Sequence, residues 1–303
     1  MAKPRTFLLV GLPHAGIPLI TSALESHRDT LAAHGVRVPA RSADEAFRAA
    51  VELRREHKAW ALRRKDVEGT WAGICRRIVK HRETAVVGHE LLAGAAPDEI
   101  ALLVDGLAST RVHVVVLATV PDGRVGLFPD ELDLAGVLER WEPAVAGPDR
   151  LHVVVADPVD PGVAWRALGG LAGFDAEQLP LPAHGSAFTV ADAASLRLIA
   201  ESSGVHVDPD ELVEIAEAWG KVVADHGYDV VGDLRDLVPV RPAAATDPAR
   251  ASYDVRVDIL NTALSEAVAE VGRLREQLAA AQQRSSKLDR KRRRLDRKLA
   301  AVS

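Results

Sequence analysis

The chain has 303 residues, of which 48% are apolar and 27% charged, with a formal net charge of −5. That balance excludes bulk disorder, and at about 150 residues per domain it allows one large domain or two small ones. No apolar run approaches the ~18 residues that span a membrane, the N-terminus lacks the apolar stretch and cleavage site of a signal peptide, and Cys75 stands alone. A lone cysteine rules out an internal disulfide or a cysteine metal cluster, so the expected location is cytoplasmic.

The first apolar run, 6–10 (TFLLV), reads as a short buried strand. It is followed by the turn Gly11-Leu12-Pro13-His14-Ala15-Gly16 and a helical pattern over 19–34. Gly35 suits a helix C-terminus, and 36–39 reads as a second strand. Ala, Arg, Glu and Leu dominate 43–64, a helix-forming composition, and a further helix is expected over 70–81. The run 84–87 (TAVV) is a strand that ends at Gly88-His89-Glu90. Ala96-Pro97 marks the start of a helix over 98–107. Strands at 112–117 (VHVVVL) and 151–156 (LHVVVA) flank a helix at 132–146. The five tryptophans fall in stretches read as helical and are expected to pack in the core. Short, wholly apolar strands that alternate with helices specify a parallel sheet covered on both faces.

These readings divide the chain into an α/β core over 1–174, a helical C-terminal part of that core over 175–237, a Pro/Ala-rich linker over 238–251 and a tail over 252–303. Within the second part, 175–188 reads as a loop, and 190–204 and 209–227 as helices. In the tail, alternate steps of three and four from Val257 give the series Val257, Leu264, Val271, Leu278, Ser285, Arg292 and Leu299. The second series is Leu260, Ala267, Leu274, Ala281, Leu288, Leu295 and Val302. Twelve of these fourteen positions are apolar, the heptad signature of a coiled-coil helix about 70 Å long. Such a seam needs a partner helix, with a homodimer expected ahead of a different protein. From 284 to 298 nine basic residues face two acidic ones, which leaves the rest of the chain at −12. An acidic body with a basic end suggests that the tail contacts an anionic surface.

The turn between the first strand and first helix is where anions bind in α/β sheets. The Gly11–Gly16 spacing matches the opening of a phosphate loop, but Ile17 and Pro18 occupy the Lys and Ser/Thr positions. A nucleoside triphosphatase or kinase-like reading is therefore disfavoured. The ordered set FLLVGLP (7–13), LITSALESHRDTLAAHGVRVP (19–39), TAVVGHELLAGAAPDEI (84–100), VHVVVLAT (112–119) and RLHVVVADP (150–158) resembles the sulfotransferase-like family of actinobacterial type. Those proteins use 3′-phosphoadenosine-5′-phosphosulfate (PAPS). The resemblance covers about 6–174 and implies a P-loop-type parallel sheet flanked by helices. It also implies cofactor contacts at Gly11, Pro13, His14, Ala15 and Gly16.

Carried over position by position, the resemblance places His14 where the family has Lys, and Ala15, Ile17 and Pro18 at the hydroxyl positions. Thr119 stands where the Arg that binds the 3′-phosphate belongs; Arg124, five residues on, is the candidate substitute. His89 and Glu90 follow a strand at the sheet's carboxyl edge and are the candidate bases for the acceptor hydroxyl. The alternative for this pair is structural, with Glu90 capping the next helix. No metal is expected, because His89 to Ala93 fails the H-E-x-x-H spacing. Asp157 reads as a turn residue before Pro158, and Cys75 as an inert thiol. The chain thus reads as a sulfotransferase-fold protein that has lost sulfuryl transfer and acts as a binding or assembly protein through its coiled coil. The alternative is an active PAPS-dependent enzyme with an unorthodox loop.

Overall fold

The computed structural model describes residues 3–12, 15–60, 62–121, 133–157, 160–182 and 209–239. Pro13, His14, Arg124, the expected helix at 190–204, most of the linker and the whole heptad segment lie outside the described residues. Six strands form one sheet: β1 (Arg5–Gly11), β2 (Val36–Arg37), β3 (Thr84–Gly88), β4 (Arg111–Ala118), β5 (Leu151–Val155) and β6 (Asp229–Val231). Their order is β2-β3-β1-β4-β5-β6, and every pairing is parallel. Parallel neighbours need crossovers. The helices α1 (Ile17–Ser26), α2 (Arg28–Ala33), α3 (Ala43–Leu53), α4 (Arg64–Val67), α5 (Thr70–His81), α6 (Pro97–Asp105), α7 (Leu134–Trp141), α8 (Gly162–Ala172) and α9 (Pro209–His226) lie in those connections and beside them.

Alternation along the strands splits the core between two layers. On one face Phe7, Leu9, Val115, Leu117 and Val154 pack with Ile20 and Leu24 of α1 and Trp165 and Leu168 of α8. The intervening Leu8, Val10, Val114, Val116 and Val153 are equally buried and point to the opposite layer. β1 and β3 approach so closely that a Cβ at Gly88 would sit 2.1 Å from the Leu9 carbonyl oxygen, so only glycine fits there.

Three expectations change. The 43–64 helix stops at Leu53, and Arg55 takes a left-handed φ of 56°. Trp60 consequently lies in a turn, where its ring meets Phe47 edge-on at 5.1 Å. The 175–237 part is not wholly helical, because β6 adds an edge strand beside β5. Tyrosine 228, next to that strand, donates to Glu142 at 3.1 Å.

A polar chain crosses the amino end of the sheet. The Asp229 carboxylate accepts from His152 Nδ1 at 2.6 Å, and His152 Nε2 lies 3.0 Å from His113 Nδ1. The two imidazoles stack at 5.3 Å, with the Phe7 ring 4.9 Å from His113. With Nδ1 donating to His152, the lone pair of His113 Nε2 is buried and unpartnered. Protonation there would bury a cation, and burial first, then His152, Arg5, Arg150 and Arg111, hold the His113 pKa down to about 4.

Candidate functional site

At the carboxyl edge the ladder continues past the strands. Leu12 N–H donates to the Leu117 carbonyl at 2.9 Å, and Ala156 N–H to the Ala118 carbonyl at 2.7 Å. This stitching brings the ends of β1, β4 and β5 side by side, where ligands bind in open α/β sheets. Between them is a cavity of about 260 Å³, lined by Ala15, Gly16, Thr119, Ala156, Asp157 and the start of α8 at Pro161 and Ala164, with Leu19 and Ile20 of α1. The loop positions Ala15 and Gly16 thus meet Thr119, the position at which the family resemblance places an arginine. Gly11 does not line the cavity; it ends β1, and a Cβ there would come 2.7 Å from Ile17.

Gly16 caps α1 in a left-handed conformation, φ 92°, with an open surround that accepts no side chain without strain. Helix N-termini bind anions through unspent N–H groups. Here Pro18 has none, and the Leu19 and Ile20 N–H groups both donate to the Gly16 carbonyl at 3.1 Å. At most the N–H groups of Gly16 and Ile17 remain to face the cavity. Among the described lining residues there is no Lys or Arg, and the one ionisable side chain is the Asp157 carboxylate. Asp157, read from sequence as a turn residue, is therefore part of the cavity wall. Its signal was its position at the end of an apolar strand.

His89 and Glu90 follow β3, the strand next to β1, but neither lines this cavity. Both are half-buried. The turn they begin, the 3₁₀ helix Glu90–Gly94, is fixed by one side chain just past the end of α3 and two from α7. Arg54 donates to the Leu91 carbonyl at 3.1 Å, Trp141 Nε1 to Leu92 at 3.1 Å and Arg140 to Ala93 at 3.0 Å. The residue that caps the turn is His89 rather than Glu90: His89 Nδ1 accepts from the Leu91 N–H at 3.2 Å. A neutral imidazole with Nδ1 accepting carries its proton on Nε2, so neither ring nitrogen offers a free lone pair while the cap holds. His89 also lies 5.6 Å, centroid to centroid, from Phe47.

Cys75, buried on α5, has its thiol pushed up to about 11 by burial, which removes it as a nucleophile at neutral pH. No described helix is long and apolar enough to cross a membrane. No family model matches the chain, and no curated protein matches it in sequence.

Proposed function

We propose that this chain is a sulfotransferase-like scaffold that has lost PAPS-dependent sulfuryl transfer and serves as a binding or assembly protein through its C-terminal heptad segment. The observation that carries the reading is the carboxyl-edge cavity. PAPS presents several negative charges, and stabilising charge on the transferring group is the largest catalytic term in such reactions. The described wall offers a carboxylate at Asp157, a hydroxyl at Thr119 and otherwise apolar side chains with Gly16. No described lining residue supplies a cation to attract an anion placed there. The two candidate bases lie off the cavity, and His89 is occupied as a cap.

With the phosphosulfate cradle gone, the strongest functional signal left is the heptad series of 257–302, and its basic end suits an anionic surface. Leu264→Asp with Leu274→Asp puts two charges into that seam and leaves the α/β core untouched. Light scattering of the full-length chain should read twice the chain mass or more for the parent and a monomer for the double variant. A monomeric parent would refute assembly through the tail, as would a double variant that keeps the parent's mass.

A further inference from the structure

A second cavity, of about 520 Å³, lies between α3 and α5 and shares no lining residue with the carboxyl-edge cavity. Four arginines surround it: Arg41, Arg48, Arg76 and Arg77. Arg77 is already engaged, donating to Glu45 at 2.7 Å and to the Pro39 carbonyl at 2.6 Å. Glu45 is satisfied in turn, accepting also from the Arg41 N–H at 2.6 Å, and Glu68 is paired with Arg64. The guanidinium groups of Arg41, Arg48 and Arg76 have no ion pair among the described residues. Three unpaired cations outnumber the one unpaired carboxylate of the wall, Asp44, and concentrate a positive potential inside the concavity.

The neighbouring helix starts add little to that attraction. Ser42 caps α3 through the Glu45 N–H, and Glu52 accepts from the Gly69 and Trp71 N–H groups that open α5. The floor is left bare at Gly73, where a Cβ would lie 3.7 and 3.8 Å from the Arg77 and Arg76 guanidinium nitrogens.

We propose that this cavity binds a phosphate or sulfate monoester. The oxyanion sits among Arg41, Arg48 and Arg76, whose planar forks match its oxygens. Calorimetric titration of the full-length chain at low salt with glycerol phosphate and with glycerol sulfate tests this. At least one ester should bind saturably. Binding of both identifies a general oxyanion site; binding of glycerol phosphate alone assigns the ligand to the phosphates.

Arg48 and Arg76 are exposed, so R48A/R76A should keep the parent's circular dichroism and weaken the ester about tenfold or more, 1.4 kcal/mol or above. No saturable heat from either ester at millimolar concentration would overturn the proposal, as would parent-like affinity in R48A/R76A.

Discussion

His113 should make the fold's stability depend on pH in a way one substitution removes. In the folded chain its pKa is held at about 4, against an ordinary 6.5. The unfolded chain therefore takes up a proton that the folded chain refuses, so stability is full above the unfolded value and falls as pH drops from about 6.5 towards 4. At pH 5 the linkage integral gives a loss of about 2 kcal/mol relative to pH 7 as an upper bound. The ring is only half-buried, so solvent screening brings the expectation to about 1–2 kcal/mol. His113→Gln removes the titrating group and can still donate to His152. Urea unfolding of parent and variant at both pH values gives the difference of differences, in which the histidines remote from His113 cancel. A parent that loses no more stability than the variant between the two pH values would refute the burial-driven shift.

Gly88→Ala should be severe, since its Cβ would sit 2.1 Å from the Leu9 oxygen and backbone cannot yield as a flexible side chain can; a loss above about 3 kcal/mol is expected in thermal unfolding. An unchanged midpoint would mean that β1 and β3 are not paired in this register. The Cys75 thiol, with its pKa at about 11, should react with a disulfide reagent far more slowly in the native chain than in urea. Equal rates would show that α5 does not bury it.

The strands were the most legible part of the sequence. The runs expected at 6–10, 84–87, 112–117 and 151–156 coincide with β1, β3, β4 and β5 to within a residue or so at each end. They are continuous, β-branched and apolar, the pattern a doubly covered parallel strand requires. β6 escaped notice because three residues, Asp229–Val231, carry too little pattern to stand out beside a long helical stretch. The break in the 43–64 helix was invisible for a different reason. Propensity favours helix throughout, but the chain turns at Arg55 so that Arg54 can donate to the Leu91 carbonyl and Trp60 can meet Phe47. Tertiary contacts decide such boundaries.

At the site, the sequence flagged Gly16 and Thr119 but not that they share a cavity with Asp157. That meeting depends on strand order. The capping role fell to His89 instead of Glu90 because the 3₁₀ turn begins directly after His89, whose extended backbone aims Nδ1 at the Leu91 N–H. The arginine cavity was illegible because Arg41, Arg48 and Arg76 come from separate segments that only the α3–α5 packing brings together.

The proposed loss of PAPS chemistry is tested most directly by calorimetric titration of the full-length chain with 3′-phosphoadenosine-5′-phosphate, the desulfated cofactor. The two arginine-cavity substitutions R48A/R76A are included so that heat arising at the carboxyl edge can be told from heat arising at the arginines. The account predicts no saturable binding by the R48A/R76A chain at millimolar ligand. Micromolar binding that survives those substitutions, about −8 kcal/mol, would show that the carboxyl-edge cavity still holds the cofactor and would contradict the account.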